Sequence, residues 1–155
     1  MIQRSLVILK PDAVQRGLMG RILSRFEDKG LKVVAARFCQ LSRSTVENQY
    51  AVHRGKPFYD GLVRFMTQAP CLLLCLEGPA AIDVCRGMMG STFGTESAPG
   101  TIRGDYGSSR GLNLIHGSDS AEAADREIAL YFNKEDLVSY EPRIQPWVYN
   151  EEDRS

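Results

Sequence analysis

Short apolar runs separated by helix-patterned segments constrain this chain most. "SLVILK" (Ser5 to Lys10) is compact, apolar and ended by Pro11. "LKVVAARFCQL" (Leu31 to Leu41) is rich in β-branched residues, and "CLLLCLEG" (Cys71 to Gly78) is almost wholly apolar. Runs of this length and make-up read as strands. A further strand is expected to end at Leu114-Ile115, just before His116. Between the first two runs, Leu18, Ile22, Leu23 and Phe26 recur at the spacing of one helical face, with Gly30 placed as the stop. "STVE" (Ser44 to Glu47) fits a capping box opening a helix toward Tyr50, and "YDGLVRFMT" (Tyr59 to Thr67) predicts another short one. Pro79 suits the first turn of a helix running through "AAIDVCRGMMG" to Gly90. The last helix is expected from about Ser120 to Phe132, with Ala121, Ala124, Ile128, Tyr131 and Phe132 facing inward. Strands dispersed among helices in this order predict an α+β sandwich with its sheet covered on one side.

The 155 residues predict one domain, 1–155, with a tail from about Asn133 that holds the only tryptophan, Trp147. Lys plus Arg and Asp plus Glu both number 19, so the formal net charge is zero. That balance argues against a general nucleic-acid coat protein but leaves a local basic site open. The N-terminus lacks the apolar core of a signal peptide, and no apolar run approaches the ~20 residues of a membrane span. A cytoplasmic protein with no membrane partner is expected. Cys71 and Cys75, four apart on one strand, point to the same face and are poorly placed to bridge. All four cysteines read as small buried hydrophobes, and no CxxC pair or nearby histidine completes a zinc set. No metal ligand is assigned.

From Ser91 to Leu112 regular patterning stops, and glycines recur. A stretch of that length inside a compact domain is usually functional or disordered; Phe93, Ile102 and Tyr106 favour an ordered functional loop. It leads into "NLIHGSDS" (Asn113 to Ser120), where His116 sits at a strand-to-helix junction. A neutral imidazole is a competent nucleophile if another group fixes its tautomer and supports its charge. Glu127, at the edge of the last helix's apolar stripe, is the candidate for that role. On pattern alone, a core or capping histidine remains the alternative. His53, near a loop start, reads as solvated. Lys10, Arg86 and Arg103 are surface charges taken singly; together they would neutralise much of a polyphosphate. There is no GxxxxGK[ST] and no GxGxxG, so phosphates here would be held by side chains. Tyr50 and Phe58 are either core residues or a face for stacking a base.

Four motifs then resemble one family, in its order and at its spacing: "VILKPDAVQRG", "RGMMGST", "PGTIRGD" and "NLIHGSDS". They are similar to those of the nucleoside diphosphate kinases, over about residues 2–150. The fold expected with them is α+β, ferredoxin-like: a four-stranded antiparallel sheet covered by helices. The resemblance implies that His116 is phosphorylated through Nδ1, that Glu127 orients its ring and that Ser118 lies close by. It implies that Lys10, Tyr50, Arg86, Thr92, Arg103 and Asn113 surround the phosphates and sugar hydroxyls. Phe58 would stack on the base, with Leu62 on the same wall, and Gly117 would leave room beside the histidine. Nucleoside tri- and diphosphates are the implied partners, with Mg²⁺ bound through their phosphates. After Gly90, "STFG" stands where many relatives carry an acidic residue and an Asn-Pro pair, so local loop contacts are expected to differ. The tail through Trp147 and Tyr149 resembles that of longer members and implies a homo-hexamer, with a homo-tetramer as the alternative. Two other classes remain in view. An RNA-recognition module would need aromatics on its strands, which "SLVILK" lacks, and no specific nucleic-acid partner is expected. A phosphorelay partner would use His116 without nucleotide acceptors.

Overall fold

The structure is a computed structural model that describes residues 1–154. Its sheet contains β1 (Ile2–Leu9), β2 (Lys32–Cys39), β3 (Cys71–Pro79) and β4 (Ile115–Gly117) in the order β2-β3-β1-β4. Every neighbouring pair is antiparallel, which makes this the ferredoxin-like α+β arrangement.

Helices cover both faces of the sheet, not one as expected. Leu6 and Ile8 join one core cluster, Val7 and Leu9 the other, and all four are 0% exposed. The physical reason is visible in β1 itself: an unbroken apolar run has no solvent face, whereas a one-sided sheet would alternate apolar and polar. On one side pack α3 (Arg43–Gln49), α4 (Tyr59–Thr67) and α7 (Ala121–Tyr131), through Val46, Val63, Met66, Ala124 and Ile128. On the other pack α1 (Pro11–Gln15), α2 (Met19–Asp28), α5 (Ala81–Met89) and α6 (Ile102–Tyr106), through Ala13, Ile22, Phe26, Cys85 and Ile102. Burial of a side chain such as Phe26 contributes about 1.5–3 kcal/mol.

Several boundaries differ from the expectation. Pro11 both ends β1 and starts α1, because the missing N–H costs nothing in a first helical turn. The cap of α3 is Ser42, whose Oγ accepts the Thr45 N–H at 3.2 Å; Glu47 instead pairs with Arg43 one turn back. Pro79 closes β3, where no ladder donor is needed, and Ala80 in a left-handed conformation precedes α5. The 91–112 stretch is partly regular. Thr101 caps α6 by accepting the Gly104 N–H at 3.0 Å, and Ile102 is fully buried. Ala121 is exposed, so α7's inner stripe begins at Ala124. Cys71, Cys75 and Cys85 are buried, Cys39 is half-buried, and all four thiols are free. Cys71 and Cys75 share one core cluster, on the same face as expected. The tail carries α8 (Gln145–Val148) and docks through the Tyr149 hydroxyl, which donates to Gly30 O at 2.9 Å. Trp147 is 91% exposed. Among the described residues no helix is long and apolar enough to cross a membrane.

Candidate active site

The site lies where the C-terminal end of β1 meets β4. β4 is only three residues long because Leu114, just before it, adopts a left-handed conformation with φ 69°. A non-glycine residue there costs about 1–2 kcal/mol. Ile115 and Gly117 are buried, and His116 between them projects to the opposite face, toward α3 and α7.

α7 supplies the partner of His116. Its N-terminus is fixed by Ser120 Oγ, which accepts the Ala123 N–H at 3.1 Å. Two turns on, Glu127 is 3% exposed, and its Oε2 lies 2.5 Å from His116 Nε2. A carboxylate only accepts, so Nε2 carries the proton and Nδ1 keeps its lone pair. Among the described residues nothing hydrogen-bonds Nδ1. Tyr50, at the end of α3, sets its ring edge-on to His116 with centroids 6.1 Å apart. Its hydroxyl is buried, has no hydrogen-bond partner among the described residues, and is pushed well above the usual phenol range by desolvation.

A cleft of about 630 Å³ opens over His116. Lys10, Arg86 and Arg103 line it, together with Thr92, Asn113 and Gly117. Tyr50, Phe58 and Leu62 form its aromatic and apolar side. The three cations differ in kind. Lys10 is nearly buried and donates from Nζ to Asn113 Oδ1 at 2.8 Å. Burial, then the neighbouring Arg103, pull its ammonium down to about 8, so it is charged at neutral pH and close to losing its proton. Arg103 is 7% exposed and donates to the carbonyls of Asn113, Gly90, Ser91 and Ile115 at 3.0, 3.3, 3.2 and 2.6 Å. Those bonds occupy four of the guanidinium's five N–H groups. Arg103 therefore acts chiefly as a fixed charge and a clamp on the loop. Arg86 is exposed and, among the described residues, hydrogen-bonds only Gly117 O at 3.4 Å, so of these three cations it is the one with room to swing onto a ligand.

Asn113 joins three parts of the wall: its Oδ1 takes Lys10, its Nδ2 donates to Thr92 O at 3.0 Å, and its carbonyl takes Arg103. Phe58 is 51% exposed, so it is wall and not core, whereas Tyr50 is 7% exposed and belongs to both core and site. A Cβ at Gly117 would come 2.6 Å from Met89 Sδ, so this glycine makes room for α5 where the strand passes it. Glu127 lies in an adjoining cavity of about 570 Å³ that shares Arg86 and His116 with the cleft. Ser118 is fully buried and outside the cleft; its Oγ accepts the Leu6 N–H at 3.0 Å and so ties β4 to β1. It bonds neither Glu127 nor His116.

His53 departs from the solvated reading. It lies in a 3₁₀ turn (Ala51–His53), stacks against Tyr50 at 6.3 Å and tilts over Phe58 at 5.4 Å. The Tyr-x-x-His spacing, which sets two residues on one helical face, was the available signal. Phe93 and Arg110, with the guanidinium 4.0 Å from the ring centroid, also line the cleft. Among the described residues no group of three or more His, Cys, Asp or Glu side chains is gathered to hold a metal ion.

The cleft gathers three cations, an oriented imidazole and an aromatic face, a make-up suited to an anionic ligand with a planar ring, and comparison with known proteins gives the family. The family model for nucleoside diphosphate kinase matches residues 3–137. A nucleoside diphosphate kinase of Carboxydothermus hydrogenoformans is 49% identical over 148 residues, covering 96% of this chain and 99% of the relative. One from Thermoplasma acidophilum is 49% identical over 152 residues, covering 98% of each. Among solved structures, a halophilic nucleoside diphosphate kinase from Halobacterium salinarum in complex with CDP superposes with TM-score 0.94 at 46% identity, covering 96% of this chain and 99% of that one. A Borrelia burgdorferi nucleoside-diphosphate kinase, solved as a transition-state mimic with vanadate and ADP, gives TM-score 0.88 at 32% identity, covering 93% of this chain and 95% of that one. This chain belongs to the nucleoside diphosphate kinase family.

Proposed function

We propose that this protein moves the γ-phosphoryl group of a nucleoside triphosphate to a nucleoside diphosphate in two half-reactions, through a phosphohistidine on His116. The observation that carries the reading is the His116–Glu127 pair at the edge of a cationic cleft. In the first half, the Nδ1 lone pair attacks the γ-phosphorus. An N–P bond forms, the bond to the bridging oxygen breaks, and its electron pair leaves with the diphosphate. Glu127 faces the imidazolium charge that develops at Nε2–H. In the second half, a terminal oxygen of the incoming diphosphate attacks the phosphorus, and the N–P pair returns to Nδ1. No proton is gained or lost overall. Phosphoryl transfer asks for in-line placement and charge neutralisation more than for covalent chemistry. Lys10, Arg86 and Arg103 supply fixed and mobile positive charge, with Tyr50, Thr92 and Asn113 around the phosphates and sugar.

Mg²⁺ enters as part of the nucleotide substrate, neutralising its phosphate oxygens. Phe58 and Leu62 take the base by its face, which every base presents, so purine and pyrimidine acceptors are both accommodated. The CDP and ADP in the Halobacterium and Borrelia relatives fit that breadth. With ATP as donor, GDP, CDP and UDP are expected to be phosphorylated with kcat/KM values within about tenfold of one another. A base preference of a thousandfold would reject face-only recognition. Ser118 acts by holding β4 in register and thus places His116. The assembly that accompanies this reading is a homo-hexamer, with a homo-tetramer as the alternative, in the cytoplasm.

Glu127→Ala is expected to slow phosphorylation of His116 by about 10²-fold, since the imidazole loses its orientation and counter-charge but keeps its nucleophilic nitrogen. Rapid-quench rates of both half-reactions measure this. Unchanged rates in both directions would remove its orienting role.

A further inference from the structure

At the corner where β1 passes into α1 stands an acidic residue that the reaction above does not use. Asp12 lies in the first turn of α1 and is 9% exposed. Its Oδ2 accepts the N–H of Leu114 at 3.0 Å. Leu114 is the fully buried left-handed residue two positions ahead of His116. The same turn is held from the other side, because the Lys10 N–H donates to Leu114 O at 2.8 Å. Lys10 Nζ then reaches Asn113 Oδ1, also at 2.8 Å. These bonds lace the corner at Lys10–Asp12 to the corner at Asn113–Leu114. The second oxygen of Asp12, Oδ1, is buried and has no hydrogen-bond partner among the described residues.

A buried carboxylate with one oxygen unpaired is costly unless its charge is balanced nearby. The cation its charge bears on is Lys10, which bonds the same Leu114 peptide turn from the other side. The groups around that ammonium are Asp12 from α1, Arg103 from α6, Cys71 from β3 and the Asn113 amide, with Arg86 of α5 beyond Arg103. Burial and Arg103 favour loss of its proton, while Asp12 opposes that loss.

We propose that Asp12 is a positioning residue of the nucleotide site: its carboxylate holds the left-handed turn that carries the chain into His116, and its charge keeps the buried Lys10 ammonium protonated beside Arg103. This rests on the reading of the cleft as the phosphate site. One residue thereby couples the placement of the reacting histidine to the charge that meets the phosphates. A neutral Lys10 beside Arg103 would leave the cleft weaker toward polyphosphate just where Asp12 is lost.

Two variants of the full-length protein separate the two roles. Asp12→Asn keeps an oxygen for the Leu114 N–H and removes the charge; Asp12→Ala removes both. In lysine-¹³Cε-labelled protein without nucleotide, Lys10 of the native chain is expected to titrate near the value of about 8. In Asp12→Asn it should titrate at a lower pH than in the native chain. GDP affinity, which needs the protonated ammonium, should fall as pH rises through the Lys10 titration in each protein, so its midpoint shifts to lower pH in Asp12→Asn. The amide resonances of Leu114 and His116 should stay close to native in Asp12→Asn and move in Asp12→Ala. Lys10 titrating at the same pH in Asp12→Asn as in the native chain would overturn the charge role. Unmoved Leu114 and His116 amides in Asp12→Ala would overturn the turn-holding role. If Asp12→Ala does not fold, the Asp12→Asn titration still decides the charge role. A native chain without kinase activity would instead overturn the functional reading, and the Lys10 titration would still decide this one.

Discussion

Replacing His116 with alanine is expected to abolish phosphoryl transfer, lowering kcat by about 10⁴-fold or more, because the phosphoryl group loses the imidazole that Glu127 orients to receive it. Glu127 takes Nε2, and nothing described bonds Nδ1, so the second nitrogen of this ring is left unengaged at a cleft that Lys10 and Arg86 also line. The effect on folding should be small by comparison. Glu127, 3% exposed, would lose its partner, at a cost of about 1–3 kcal/mol. His116 is itself part-exposed and fills little of either core cluster. A His116→Ala protein that folds, binds GDP and does not turn over is the expected result, read by circular dichroism, calorimetric binding and a coupled assay. Turnover at the native rate would remove His116 from the mechanism.

The largest effect on stability is expected from Arg103→Ala. Its guanidinium closes the 91–112 loop against β4 by engaging the carbonyls of Gly90, Ser91, Asn113 and Ile115. Alanine would strand those acceptors and leave the space of a buried side chain. A loss of about 3–5 kcal/mol follows, seen as a fall in Tm of about 10 °C for a chain of this size. Activity should fall too, because Thr92 and Asn113 hang on the same loop. Arg103→Lys should recover little, since a single ammonium does not span carbonyls arranged around a planar fork. A melting temperature within about 2 °C of native in Arg103→Ala would contradict the clamp.

The parts of this molecule that were legible in its sequence are those with a local signal. β1, β2 and β3 announced themselves as apolar runs. Gly30 and Gly90, both at positive φ, ended the helices they were expected to end. Glu127 was legible because a carboxylate at the edge of an apolar stripe needs a partner. What was missed depends on contacts between distant segments. The two-sided burial of β1 follows from its unbroken run, yet one-sided coverage was expected from helix order. Arg103 looked like one loop cation among several; its four carbonyl partners belong to segments brought together only by the fold. Asp12 drew no notice, since its partner, Leu114, lies 102 residues away. His53 reads as solvated from its place near a loop start, and only the chain's return at Phe58 makes it part of a wall. The motif sets Ser118 close to His116, but its backbone partner on β1, 112 residues away, has no local signal.

The most direct test of the central claim is to incubate the purified protein with γ-labelled ATP and Mg²⁺ without acceptor, then add GDP or CDP. The expected result is protein-bound label that is labile to acid, stable to alkali and absent from His116→Ala, and that leaves as labelled GTP or CTP when the diphosphate arrives. Net transfer to the acceptor with no labelled protein at any time would contradict it, because the phosphoryl group would then pass directly between nucleotides and His116 would not carry it.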